Sequence, residues 1–117
     1  MSESLVKLFE TIDNKDAEGF CSFLTDDAVF AYGSQAPVAG REPIREYVAG
    51  FFSSVEGLGH AIEESWQVGG TAFVRGEVTY RLPGGKVVSL PFLNLLRLQE
   101  ERFSEYRVFI DPTPLSG

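Results

Sequence analysis

Residues Thr71–Leu98, TAFVRGEVTYRLPGGKVVSLPFLNLLRL, decide the fold. Two runs rich in Val, Leu, Phe, Thr and Tyr flank Pro83-Gly84-Gly85, a composition that predicts a long antiparallel hairpin. Side chains two apart on a strand point the same way. Arg75 and Glu77 therefore share one face of the first strand, while Asn94 interrupts an otherwise apolar second strand. Turned inward over a cavity, that polar face holds the function; turned to water, it is the ordinary polar side of a sheet. Pro91 has no N–H for a ladder and marks a bulge or an edge, and a bulge there would help make the sheet concave.

Working outward, further strands are expected on both sides of the hairpin. His60–Val68 precedes it across Gly69-Gly70, and Arg102–Ile110 follows it across Gln99-Glu100-Glu101. The tail DPTPLSG is too short and too Pro-rich for another element. The N-terminal half reads differently. Leu5, Leu8, Phe9 and Ile12 recur at the spacing of one helical face, which predicts an amphipathic helix from Glu3 to about Ile12. Asp16 is a good N-cap for a second, shorter helix that buries Phe20, Phe23 and Leu24. Thr25-Asp26-Asp27 breaks that helix before a short strand, Ala28–Tyr32. Adjacent acids on an extended segment point to opposite faces, so Asp26 and Asp27 read as a solvated turn rather than an acid pair. After the loop Gly33–Gly40, Pro43 sits near the first turn of a third helix. Its Ile44, Tyr47, Val48, Phe51 and Phe52 line one side, and Arg41, Glu42, Arg45 and Glu46 another. Helices gathered before antiparallel strands predict an α+β domain, residues 1–117, with helices on one face of a sheet.

A chain of 117 residues supplies one core, and ten Phe within a 44% hydrophobic composition fill it well. Seventeen acidic residues against ten basic give a net charge of −7, which argues against nucleic acid or an anionic membrane surface as partner. Cys21 is the only cysteine, so no intramolecular disulfide forms, and its apolar setting FCSFL reads as a buried thiol. No signal peptide is visible and no apolar run approaches the roughly 20 residues that span a bilayer. The expectation is a soluble cytoplasmic protein with no membrane partner. No acid or His cluster has metal-ligand spacing, no glycine loop cradles phosphate, and a single His offers no serine-type triad. No metal or cofactor is expected.

The segments FETIDNKDAEGFCSFLTDDAVFAYG and GREPIREYVAGFF, followed by four strands ending EYRVFIDP, resemble the nuclear transport factor 2-like superfamily. Within it the chain is most similar to the polyketide-cyclase-like (SnoaL-like) group, whose relatives include ketosteroid isomerase and limonene epoxide hydrolase. The resemblance implies a cone: three N-terminal helices packed in a strongly curved antiparallel sheet, with an apolar pocket at the open end. It also implies a homodimer through the outer sheet face. On this basis Val74, Val78, Tyr80 and Leu82 would face the dimer, and Phe73, Arg75, Glu77 and Thr79 would line the pocket. One fold hosts many chemistries, so the activity does not follow from it.

Carried over by position, Arg75 and Glu77 match the Arg and one acid of limonene epoxide hydrolase. Its other acid falls at Val108, and its Tyr and Asn at Phe30 and Tyr32. The positions matching the ketosteroid isomerase base and its oxyanion-hole Tyr and Asp are Tyr32, Leu8 and Asn94. The catalytic candidates are therefore Glu77 as base or water holder with Arg75 as its orienting cation, His60 as an acid or base, and Asp111 at the end of the last strand. Asp111 precedes Pro112, so a simple Asp-Pro turn also explains it. The ligand-binding candidates are Tyr32, Trp66, Asn94, Tyr106, Phe73 and Phe92, which offer apolar bodies, several with hydrogen-bonding tips. Asn94, Tyr32 or His60 would donate to a developing oxyanion. The implied function is binding of a small, mostly hydrophobic molecule, with cofactor-independent acid–base chemistry of the isomerase, cyclase or hydrolase sort. The alternative is a non-catalytic ligand-binding or dimerisation module.

Overall fold

Ser2 accepts the Leu5 amide with its hydroxyl and opens α1 (Glu3–Asp13), whose Leu5, Leu8, Phe9 and Ile12 are buried. Asp16 does the same for α2 (Ala17–Cys21) through the Gly19 amide. These caps satisfy amides that a helix start leaves without partners. The computed structural model describes residues 1–116. The remaining elements are β1 (Leu24–Tyr32), β2 (Val38–Ala39), α3 (Arg41–Ser54), β3 (Gly57–Val68), β4 (Thr71–Arg81), β5 (Val87–Gln99), β6 (Arg102–Phe109) and α4 (Thr113–Ser116). Among the described residues no helix is long and apolar enough to cross a membrane.

The six strands form one sheet in the order β2-β1-β6-β5-β4-β3. The β4–β5 hairpin forms as its sequence predicts, in unbroken register from Thr71 opposite Arg97 to Arg81 opposite Val87. Gly84 and Gly85 both turn at φ +92°, a conformation that side chains with a Cβ rarely adopt. The sheet is mixed rather than antiparallel throughout, because β1 runs parallel to β6. Such a pair needs a long crossover, and here the chain from β2 through β5 supplies it. Helices and strands are likewise not segregated, since β1 and β2 stand between α2 and α3. The segment Thr25-Asp26-Asp27 is not the turn that ends the second helix, which already stops at Cys21; it belongs to β1, at an irregularity between Leu24 and Val29, with Asp26 and Asp27 exposed as expected. The tail also departs from expectation, closing a short helical turn from Thr113 to Ser116.

Register irregularities between Ile62 and Glu64 on β3, and between Arg97 and Leu98 on β5, curl the sheet around the helices. At the first of these the strands come so close that a Cβ on Gly76 would lie 2.1 Å from the Ala61 carbonyl oxygen. Pro91 marks no bulge. It stays in register with Glu77, and β6 begins its pairing with β5 only at Leu93, so Pro91 lies on a locally open edge. The helices pack Leu8, Phe20, Ile44 and Phe52 against the inner row of the sheet, including Val74, Val78, Leu96 and Phe103.

The two faces of β4 are the reverse of what the family resemblance implies. Val74, Val78 and Tyr80 are buried on the helix side, while Arg75 and Glu77 are exposed and Phe73 and Thr79 are half-buried on the other. Alternation alone assigns these faces correctly. The two-residue spacing of Arg75 and Glu77 places both on one face without saying which, and here that face is the outer one.

Candidate functional site

The inner row of the sheet and the helices line a partly open cavity of about 50 Å³. Register explains which side chains meet there. Val74 lies opposite Asn94, Asn94 opposite Val108, and Val108 opposite Tyr32, so one inward row crosses β4, β5, β6 and β1. Likewise Val78 lies opposite His60 on β3. His60, Asn94, Tyr106, Tyr32, Tyr80 and Phe92 all line the cavity. Phe51 and Tyr47, half-buried on α3, close its outer part together with Val108.

His60 carries the best-defined polar geometry. Its Nδ1 stands 2.6 Å from Asp13 Oδ1, and its backbone N–H donates to the other carboxylate oxygen at 3.3 Å. The imidazole is only 9% exposed. Phe9 and Phe92 hold it edge-on, with ring centroids 5.0 and 5.2 Å away. A carboxylate beside Nδ1 keeps the proton on that nitrogen and fixes the ring, which leaves the Nε2 lone pair as the reactive position. Asp13 reaches His60 because it ends α1 one turn after Phe9, on the same helical face.

Two further polar pairs sit in the same wall. Asn94, 1% exposed, donates from Nδ2 to the Tyr106 hydroxyl at 3.0 Å. Its Oδ1 is buried and accepts no hydrogen bond. The Tyr32 and Tyr80 hydroxyls lie 3.0 Å apart. Burial pushes the Tyr32 phenol above its usual range, partly offset by its hydrogen bond to Tyr80. Tyr80 is driven up by burial and then by the neighbouring Tyr32. Tyr106 is raised first by burial and next by the nearby Asp13 charge, against which the Asn94 hydrogen bond works. All three therefore remain neutral hydroxyls that donate and accept. Edge, stacked and tilted contacts of Phe20 and Phe30 with Tyr106, and of Phe51 with Tyr32 and Tyr80, fix the rings.

Of the residues singled out from sequence, the structure brings together His60, Asn94, Tyr32, Tyr106 and Phe92. It separates the others. Arg75, half exposed on the outer face, reaches to β3 and pairs with Glu64 at 3.0 Å and Glu63 at 3.3 Å rather than with Glu77. The β3 irregularity sets those two acids beside it. Glu77 is exposed on the same outer face. Asp111 accepts the Thr113 amide and hydroxyl, hydrogen bonds that hold its carboxyl below the usual range, and so caps α4 outside the cavity. Trp66 is 43% exposed and lies opposite Phe73 on the outer face, where Leu95 continues the row. Cys21 is a buried thiol pushed up to about 11 by burial.

Asp13 is a site residue that the sequence did not single out, and Tyr80 is one that the family resemblance assigned to the opposite face. The four-residue step from Phe9 to Asp13 on an amphipathic helix was the available signal for the first. Strict alternation from Val74 through Val78 was the signal for the second.

The SnoaL-like domain family model matches residues 5–106. No curated protein matches the chain in sequence. Many solved structures share its fold. An NTF2-like protein from Burkholderia pseudomallei superposes with a TM-score of 0.88 at 15% identity, covering 98% of this chain and 95% of that one. A protein of ketosteroid isomerase-like fold from Catenulispora acidiphila, in complex with trimethylamine, gives 0.86 at 15% identity over 93% of this chain and 85% of that one. TerC, co-crystallised with polyporic acid, gives 0.85 at 17% identity over 97% and 93%. At such identities the likeness establishes the fold.

Proposed function

We propose, from the premise that the chain belongs to the SnoaL-like domain family, that the cavity takes one small, mostly apolar carbonyl compound and moves a proton on it without a cofactor. The observation that carries this reading is the 2.6 Å contact by which Asp13 holds His60, a residue of the cavity wall. Asp13 holds His60 with its Nε2 lone pair free, and that nitrogen removes a proton from the carbon beside the ligand carbonyl. The C–H electron pair becomes the enol double bond, and charge builds on the carbonyl oxygen. A buried tyrosine hydroxyl donates to that oxygen, which matters most where water is excluded. Return of the proton from His60 to another carbon completes an isomerisation; attack by the enol carbon on a second carbonyl of the same molecule, with His60 returning its proton to the oxygen of that carbonyl, completes a cyclisation. In this scheme the oxyanion donor is a tyrosine hydroxyl rather than Asn94, which gives one of its two amide N–H groups to Tyr106.

Two relatives of the same fold are known with small organic molecules, trimethylamine and polyporic acid, which supports a ligand site but names no substrate for this chain. The cavity has room for about three or four waters. The test is deuterium exchange at the α-carbon of cyclopentanone in heavy water, followed by NMR. The wild type is expected to accelerate exchange over buffer and His60→Gln to lose the acceleration while keeping the fold. Exchange at the buffer rate, or undiminished exchange in His60→Gln, counts against catalysis by this residue. The second reading, a non-catalytic binding module, then requires thermal stabilisation by ligands with no product.

The outer face is the proposed homodimer surface. Trp66, Phe73 and Leu95 form one row across it and Leu93 and Phe109 another, interrupted by Arg75. Light scattering at micromolar concentration should give twice the 12.9 kDa chain mass, and a monomer mass would end the proposal.

A further inference from the structure

Asn94 is the one buried polar side chain of the cavity wall whose acceptor is left empty: Oδ1 is fully enclosed and bonds to nothing in the protein. A buried amide oxygen without a donor is costly, and native structures seldom tolerate it unless water or a ligand completes it. In the structure the amide nitrogen faces Tyr106 and donates to its hydroxyl oxygen at 3.0 Å. The other end of the amide, Oδ1, is consequently an acceptor. Around it the wall is aromatic, with Phe92 two residues away on the same inward row and Phe20 and Phe30 packed on Tyr106.

We infer that the occupant of this cavity is a hydroxyl-bearing ring, bound through O–H donation to Asn94 Oδ1, and that Asn94 selects such ligands over analogues lacking a donor. The inference rests on the reading of this cavity as the ligand site and adds the polarity of its recognition. It gives Asn94 the opposite role from the oxyanion donor that its sequence position implies. A ligand hydroxyl satisfies Oδ1, whereas a ligand presenting only a carbonyl, fluorine or methyl group leaves it empty. The Tyr106 hydroxyl next to it can serve a second ligand oxygen, so a ring with neighbouring hydroxyl and carbonyl groups matches the pair best.

The test compares phenol with fluorobenzene and anisole, rings of related shape that lack the donor, by direct binding to the wild-type chain. Phenol is expected to bind at least about tenfold more tightly than either, the scale of one net hydrogen bond that also fills an orphaned acceptor. Asn94→Leu, which keeps the volume and removes the amide, should bind all three alike. Equal binding of the three rings by the wild type overturns the Asn94 role while leaving the cavity as a ligand site, and so does a phenol preference that survives in Asn94→Leu. Failure of all three to bind overturns both. Should Asn94→Leu not fold, the wild-type ratio is read with the Asn94 side-chain amide resonances. These must shift with phenol and not with fluorobenzene, and any other pattern rejects the inference.

Discussion

Asp13 and His60 lie 47 positions apart in sequence, yet Asp13 Oδ1 sits 2.6 Å from His60 Nδ1 at the wall of the cavity. The end of one helix and the beginning of one long strand thus define the orientation of the only imidazole in the chain. Replacing Asp13 by Asn keeps the shape but removes the charge that fixes the ring. Asp13→Asn should lower stability by about 1–2 kcal/mol in urea unfolding, the scale of a hydrogen bond involving a charged group. Proton exchange on cyclopentanone should slow along with it. Unchanged stability and unchanged exchange would show that the contact orients nothing.

Arg75 and Glu77 provide the converse case. Both lie on the outer face, and Arg75 pairs with exposed acids that contribute little in water. Arg75→Ala and Glu77→Gln should each leave ligand binding in the cavity unchanged. Loss of binding in either variant would return the site to the outer face.

The buried tyrosines impose a pH limit. Tyr32, Tyr80 and Tyr106 all have raised phenol values in the folded chain, whereas the unfolded chain releases those protons near pH 10. The folded state therefore binds more protons above pH 10. Stability is intact below that pH and falls as pH rises beyond it, by about 4 kcal/mol per unit for three groups. Tyrosinate absorbance should appear in one cooperative step with loss of the near-ultraviolet circular dichroism. Reversible ionisation of all the tyrosines near pH 10 in a folded protein would contradict their burial.

Gly76 tests the packing of the sheet. A methyl group at this position meets the Ala61 carbonyl oxygen at 2.1 Å, a backbone atom that cannot swing away. Gly76→Ala should destabilise the chain by about 1–3 kcal/mol in urea unfolding, as overpacking does. An unaltered midpoint would mean that β3 and β4 do not approach so closely there.

Much of the fold was legible because it rests on periodicity and local chemistry. The face of α1, the Asp16 cap, the strand pairs and the Pro83-Gly84-Gly85 turn all follow from residues within a few positions of one another. The parallel pairing of β1 with β6 was not legible, since nothing in Ala28–Tyr32 names its partner. The site was legible in part. His60, Asn94, Tyr32, Tyr106 and Phe92 stood out as polar or aromatic residues in apolar runs, and register brings them together. Arg75 and Glu77 misled because a two-residue charge spacing puts both on one face without saying which face is inward. Asp13 was hidden by its place at a helix end, where an acid looks like a solvated terminus. Its role depends on a contact with β3 that only the folded chain provides.

The most direct measurement of the central claim is nitrogen-15 NMR of the His60 imidazole, the only one in the chain, during titration with phenol. The expected spectrum holds an Nδ1 signal of a protonated, hydrogen-bonded nitrogen that persists in the wild type and is lost in Asp13→Asn. The Nε2 signal is expected to shift as phenol saturates the cavity. An imidazole with no fixed tautomer, or an Nε2 signal indifferent to a ring bound in the cavity, would contradict the assignment of His60 as the base.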